Sequence, residues 1–550
     1  MHLGAIDYAI IAIYFLFVIG IGFLLKKKVR TGNDFLMSNR SIPLWITSLA
    51  FISANLGAQE VLGMAANGAK YGLYTAHFYW LGAVFAMVFL GVFMMPFYYG
   101  SKARSVPEFL KLRFDEKTRS FNALTFAAMT IFSSGISLYA LAMLMQTILG
   151  WDFDVSIWCA AGVVLIYTFL GGLTSAVYNE VLQFFLIVLG IAPLVYIGFQ
   201  QAGGLDGILA NVDNAKLHLW KGMSTEAGNP MGVDAFSMIF GLGFVLAFGY
   251  WCTDFLVVQR AMISKNLNDA RRTPIIAALP KIFMPLIVIV PGIIILALQQ
   301  QFTGFDLPVK ANGDTDYNMV LPLLLSKLYP SGMLGVGITA LIASFMSGMA
   351  GNVTAFNTVF TFDIYQTHIR RHASEKHYLW VGKFTTVAGI LLSVITAYVA
   401  SSFNSIMDLL QLVFSFVNAP LFATFFLGMF WKRTTSNGAF WGLLGGTAAA
   451  ALTYMLTVAE GKGGAIANLH TFYSGTSQAF NIAWISFSIC FILTLLISLF
   501  TRRKQDSELV GLVYSLTPRE KDITRVWYKN PLWLGILVLA ITLVFNIIFF

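Results

Sequence analysis

Runs of about twenty mainly apolar residues, the length a helix needs to cross a hydrocarbon layer, recur from one end of this 550-residue chain to the other. In lipid only helices and closed barrels satisfy their own backbone hydrogen bonds, and runs this long and this uninterrupted restrict the chain to a bundle of spanning helices. Composition agrees: 57% of residues are hydrophobic and 11% charged, too few charges to clothe soluble domains of that size. A water-soluble multidomain enzyme is excluded. The net charge of +9 points to no nucleic acid, because the basic residues flank apolar runs, where they orient a membrane chain. Cys159, Cys252 and Cys490 are odd in number and sit in apolar segments, so they read as small hydrophobes rather than a disulfide framework.

The chain is expected to be an all-α polytopic membrane protein with about 14 spans. They fall near 5–25, 43–64, 77–99, 121–149, 156–177, 180–201, 236–258, 275–298, 333–363, 378–400, 405–429, 437–456, 480–500 and 532–550. The first run lacks a preceding basic region and is followed by Lys26, Lys27, Lys28 and Arg30, so it reads as a retained span rather than a signal peptide. An external N-terminus puts the basic stretches 26–30, 102–119, 260–272, 370–376, 432–433 and 502–529 on the cytoplasmic side, as Lys and Arg bias requires. Both termini are then extracytoplasmic. The loops 202–235 and 457–478 read as solvated connections, and 504–530 as a cytoplasmic stretch with room for a short interfacial helix.

Two spans are interrupted. The second contains Ser53, Ala54, Asn55, Leu56, Gly57, Ala58, Gln59 and Glu60, and the seventh contains Ala247, Phe248, Gly249, Tyr250, Trp251, Cys252, Thr253 and Asp254. Unwinding a helix frees carbonyls and amides that hydrocarbon cannot satisfy, so such backbone persists only where protein, water, ions or substrate occupy it. Interruptions at matching places in two halves point to a transporter site at the midplane between two inverted repeats. Small residues also permit close helix packing, but Glu60 and Asp254 are costly in a membrane and favour a functional reading. In the ninth span Ser344 and Ser347 share one helix face; their hydroxyls suit a hard cation, or bond back to their own helix.

With these segments located, the sequence resembles the sodium/solute symporter family, particularly its sodium/sugar branch. The resemblance rests on SANLGAQEVLG at 53–63, GGLTSAVYNEVLQ at 171–183, YWCTDFLVVQR at 250–260, PKIFMPLIVIVPG at 280–292, FTFDIY at 360–365 and GMFWKRTTSNGAFWG at 428–442. It implies a leucine-transporter-like core of two inverted five-helix repeats, with the repeats at 43–201 and 236–429. The rest is then an N-terminal helix and loop (1–42), an external loop (202–235) and three accessory C-terminal helices (430–550).

By the same resemblance, sodium would be held by carbonyls of Ser53, Leu56 and Ser344 and the hydroxyl of Ser347. The position after Ser347, often a second hydroxyl in the family, is Gly348, so the site must use four protein oxygens, a water or substrate-supported geometry. Glu180 stands where some members place the carboxylate of a second sodium site, but Ala350 and Gly351 replace its hydroxyls. One sodium per cycle is expected, with Glu180 acting in gating or ion release, or simply favouring a helix start.

The sugar-branch pocket maps onto Asn55, Glu60, Tyr79, Tyr250, Trp251, Lys281 and Gln411, with Tyr250 as inner gate and Asp254 as a gating or coupling residue. Such amides, charges and aromatic faces suit a neutral polyhydroxylated molecule. Tyr79 replaces a glutamate, Ala247 a polar residue, and the order Gln59, Glu60 reverses a familiar pair. A Glu60–Lys281 pair would leave the pocket nearly neutral; a free Lys281 would suit a monocarboxylate.

The expected activity is sodium-coupled secondary active import of a small polar solute, a monosaccharide foremost, by alternating access in the plasma (inner) membrane. A monocarboxylate, amino acid or polyol substrate, or proton coupling through Glu60, Glu180 or Asp254, is the nearest alternative; a membrane-embedded enzyme or a channel lies further off. Sodium as transported ion, the solute and the lipid bilayer are the expected partners, with no organic cofactor, nucleic acid or obligate protein partner. His368, His372 and His377 lie in a basic loop without the companions of a metal site.

Overall fold

A computed structural model describes residues 3–26, 35–36, 38–310, 313–401, 405–517 and 526–550. The basic residues Lys27, Lys28 and Arg30, and Pro518 in the cytoplasmic stretch, lie outside them. Among the described residues, eleven helices are long and apolar enough to cross a membrane, thirteen with each of two bent pairs taken as one span, and Phe153–Ile166 is a shorter apolar helix. The expected fifth and sixth spans are two helices within Phe153–Gln201 that meet at a kink at Gly172, whose backbone turns left-handed (φ 55°, ψ −147°). A side chain there would strike Phe35, since a Cβ would lie 2.5 Å from its carbonyl oxygen, so the glycine serves both the kink and the close approach.

The spans nest by burial. In the most apolar stretch of Met333–Ile369, 89% of residues are buried, against 22% in the N-terminal helix Ala5–Leu24 and 28% in Pro531–Ile548. The first is therefore the central strut, packed against Glu116–Leu149 and Phe153–Gln201, and the others face lipid. Polar residues punctuate the strut without breaking it because their side chains find partners across helix interfaces, as in other membrane bundles.

Both interrupted spans are broken. Leu44–Asn55 and Ala58–Ala76 meet at 53°, and Ser237–Thr253 and Phe255–Met262 at 49°. The ninth span, carrying two hydroxyls at comparable polarity, stays helical over Met333–Val359. The new helix starts differ: Gly57 offers no side-chain cap at the first break, whereas Asp254 caps the second.

Two connections hold structure that turn composition did not announce. Thr457–Ala459 pairs antiparallel with Lys462–Gly463 and parallel with His470–Phe472, a three-stranded patch in the 457–478 loop. The 202–235 loop contains the helix Gly204–Asn211. In 504–530 the described residues include 3-10 turns at Asp506–Glu508, Tyr514–Leu516 and Trp527–Lys529, and residues 518–525 lie outside the described residues.

Candidate functional site

At the first break the chain leaves helical geometry for two residues, Leu56 and Gly57. The Leu56 amide still donates to the carbonyls of Ile52 and Ser53, at 3.2 and 2.9 Å. Its own carbonyl points away from the helix and accepts from the Ser344 hydroxyl at 2.6 Å, while the Ser53 carbonyl accepts from Ser347 at 3.1 Å. Both serines reach across to another helix rather than back to their own. All four residues are fully buried, and the Ser53 hydroxyl has no hydrogen-bond partner among the described residues. The structure thus gathers Ser53, Leu56, Ser344 and Ser347 at one oxygen-rich point, the donor set a hard cation takes.

Gly348 is explained by the same contact. A Cβ on it would lie 2.9 Å from the Gly57 Cα and 2.8 Å from the Ser137 hydroxyl, and one on Gly57 would lie 3.1 Å from the Gly348 Cα. The two backbones touch, so the hydroxyl expected beside Ser347 has no room here; close approach of small residues takes its place.

Beside this point a small polar cavity opens between the broken helices. Asn55, Glu60, Tyr79, Tyr250, Trp251, Lys281 and Gln411 all line it. Its polar wall is one continuous chain. The Lys281 ammonium donates to Glu60 at 2.6 Å and to the side-chain oxygen of Asn55, whose amide in turn donates to the Tyr250 hydroxyl at 2.9 Å. Asn55 ends the first half of the first broken helix and Glu60 lies in the first turn of its second half, so Lys281 bridges the break, and Asn55 ties it to the second broken helix.

Lys281 is 1% exposed and so is buried rather than snorkelling to a membrane surface. Besides its carboxylate it lies 4.9 Å from the Tyr79 ring and 5.0 Å from the Trp251 ring, positions in which aromatic faces stabilise a desolvated cation. That accounts for an aromatic residue where the resemblance led one to look for glutamate. A second acid would have overbalanced the single lysine. Tyr250 stacks on Phe414 with centroids 4.9 Å apart and meets Trp251 edge-on at 5.2 Å, forming an aromatic wall. The Gln411 side-chain amide donates to the Met407 sulfur at 3.7 Å, and the residue lines the cavity.

The second break is built differently. Only Asp254 separates its halves, and its carboxylate accepts the Leu256 amide at 2.8 Å, capping the half-helix Phe255–Met262. Asp254 is not among the residues lining the cavity, and besides its own backbone it meets the Asn418 side chain. Glu180 is also committed: Arg260, from that half-helix, forks onto both carboxylate oxygens, with Nε at 3.2 Å, and Arg260 further donates to the Leu256 carbonyl at 2.8 Å. Both members are fully buried. Sequence reasoning missed Arg260 by counting it among cytoplasmic charges; its flanks, Phe255–Val258 and Ala261–Ile263, are apolar and were the available signal. Gly351 lies beneath this pair, where a Cβ would come within 2.8 Å of Leu256 and 3.3 Å of Arg260.

The loop histidines take local partners, His368 the Ser120 hydroxyl at 2.7 Å and His377 the Tyr365 hydroxyl at 2.9 Å. Among the described residues no group of three His, Cys, Asp or Glu side chains is placed to hold a metal ion.

A bundle with two broken helices meeting at a central polar cavity defines the class: a secondary transporter. A profile of the sodium:solute symporter family matches residues 35–446, three quarters of the length, and the chain belongs to that family. It is similar to sodium/glucose cotransporter 4 of Danio rerio, 30% identical over 469 residues that cover 81% of this chain and 71% of the relative. It is likewise similar to the sodium/glucose cotransporter of Vibrio parahaemolyticus, 29% identical over 462 residues, 80% and 84% of the respective lengths. Among solved structures, a substrate-bound, outward-open sodium-coupled sialic acid symporter superposes with a TM-score of 0.77, covering 91% of this chain and 99% of that one at 21% identity. The fold is accordingly the leucine-transporter-like one, and the protein is a polytopic membrane transporter, not an enzyme.

Proposed function

We propose that this protein is a sodium-coupled symporter importing a neutral polyhydroxylated solute, a monosaccharide, across the plasma membrane by alternating access, one sodium per cycle. The observation that carries this reading is the closed Glu60–Lys281–Asn55–Tyr250 chain, which makes the cavity wall polar without leaving it a free charge. Sugar hydroxyls find donors and acceptors in Asn55, Gln411 and the ion pair, while Tyr250 and Trp251 offer faces for ring C–H surface. The relatives' names, sodium/glucose cotransporters, support the same substrate class. A monocarboxylate would need Lys281 free, and the Glu60 contact opposes it.

Sodium belongs at the first break, held by carbonyls of Ser53, Leu56 and Ser344 and the Ser347 hydroxyl. On entry it replaces the two serine O–H donors now facing those carbonyls, so the hydroxyls turn and present lone pairs. Binding fixes the junction one residue from Asn55 and Gly57, which prepares the cavity for solute, and the sodium gradient supplies direction. Tyr250 and the Glu180–Arg260 pair close the cytoplasmic route, with Asp254 setting the hinge. The repeats run over 43–201 and 236–429, flanked by accessory segments, with both termini extracytoplasmic. The test is uptake of radiolabelled sugars and small organic acids into proteoliposomes, with sodium replaced by choline at constant pH and potential. Sugar accumulation only with sodium is expected; equal uptake in choline contradicts coupling, and acid uptake without sugar uptake contradicts the substrate class.

A further inference from the structure

The N-terminal helix Ala5–Lys26 lies outside the ten-helix core and is mostly lipid-exposed, yet its single acid, Asp7, is fully buried. Four donors converge on that carboxylate. One oxygen accepts the amides of Gly332 and Gly335, each at 2.7 Å; the other accepts the Gly4 amide at 2.8 Å and the Ser331 hydroxyl at 3.0 Å. Gly332 and Gly335 begin Met333–Val359, the strut carrying Ser344 and Ser347, and that helix has no cap of its own because its N-cap residue, Gly332, has no side chain. A carboxylate is the group that orphan amides and the positive end of a helix dipole favour. Here it comes from another helix, more than three hundred residues away in sequence. Gly335 permits the contact, since a Cβ there would lie 2.7 Å from the Asp7 Cα.

Two turns along the same N-terminal helix, Tyr14 makes a second hold. Its hydroxyl donates to the sulfur of Met346, the residue just before Ser347 in the strut, at 3.9 Å. The same hydroxyl accepts from Gln183 at 3.1 Å. Gln183 shares its helix with Glu180. The strut is thus pinned from one accessory helix at its start and again at the level of the two serines, and those pins set the height and rotation at which the hydroxyls meet the Ser53 and Leu56 carbonyls.

We infer that Asp7 is a positioning residue for the cation site, a cap supplied in trans that holds the serine-bearing strut in register with the first break. The inference rests on the sodium site proposed above. Its test is equilibrium binding of sodium-22 to the purified full chain in detergent, for wild type, Asp7→Asn, Asp7→Ala, Tyr14→Phe and Ser347→Ala, with thermal stability measured in sodium-free buffer. Asp7→Ala should raise the sodium dissociation constant about five-fold or more, the range of coupling between linked sites. Asp7→Asn should raise it less, since one carbonyl oxygen still serves Gly332 and Gly335, and Tyr14→Phe should raise it while leaving stability closer to wild type. If Asp7→Ala does not fold, Asp7→Asn and Tyr14→Phe decide the matter. Lowered stability with wild-type sodium affinity in the folded Asp7 variants and Tyr14→Phe, while Ser347→Ala binds weakly, overturns the positioning role and leaves the site standing. Wild-type affinity in Ser347→Ala overturns the site and this inference with it.

Discussion

The two broken helices bend by similar angles, 53° and 49°, but they are completed by different means. At Leu56–Gly57 the second half starts on a residue without a capping side chain, and the freed carbonyls are met by hydroxyls from another helix. At Asp254 the chain caps itself within two residues, and the second half is then anchored by Arg260 to Glu180. Groups supplied from elsewhere can be exchanged for an ion; a cap built into the same turn cannot. Under the proposed function, ion and solute chemistry belongs to the first break and hinge mechanics to the second.

The largest effect should follow from Lys281→Met, which removes the cation bridging the first break and leaves Glu60 buried and unpaired. Stability should fall by about 3–5 kcal/mol, as for other broken buried pairs, and uptake should vanish. Adding Glu60→Gln should restore much of the melting temperature without restoring uptake. Recovery of transport would show that the pair matters only for folding.

Gly348→Ser comes next and probes why the first break lacks a further hydroxyl. With Gly57 Cα 2.9 Å from the new Cβ, overpacking should cost about 1–3 kcal/mol and reduce folded yield. A stable variant with tighter sodium dependence would mean that the space exists. For Ser347→Ala, the sodium concentration giving half-maximal uptake should rise about ten-fold, equivalent to roughly 1.4 kcal/mol, while solute KM at saturating sodium stays within about two-fold. Equal changes in both would erase the distinction between ion and solute sites.

Asp254→Ala should have the smallest effect, about 1 kcal/mol of stability from a lost cap, with unchanged sodium dependence and altered turnover. A shift in sodium dependence as large as that of Ser347→Ala would place the second break in the ion site and undo the comparison.

Much of this was legible in the sequence because each signal is local. Spans announce themselves by length and hydropathy, and the breaks by a glycine or acid amid small residues. The pocket residues came together as a group because one resemblance carried all of them. What stayed hidden depends on partners distant in the chain. Arg260 looks like a cytoplasmic charge until Glu180 is placed beside it, and Gly348 looks like a lost ligand until Gly57 is seen against it. Gly172 lies in an apolar run and its kink packs against Phe35, and the strands paired in 457–478 are only two or three residues long, too short to show an alternating pattern. Asp7 is the extreme case, an acid whose role is invisible without the far helix it caps.

The central claim is that the first break and the two serines form a cation site. Saturable sodium-22 binding to the solute-free full chain, compared between wild type and the Ser344→Ala, Ser347→Ala double variant, tests it most directly. The account predicts one displaceable sodium per chain in the wild type and none in a double variant that remains monodisperse and folded. Undiminished binding in that variant would contradict it.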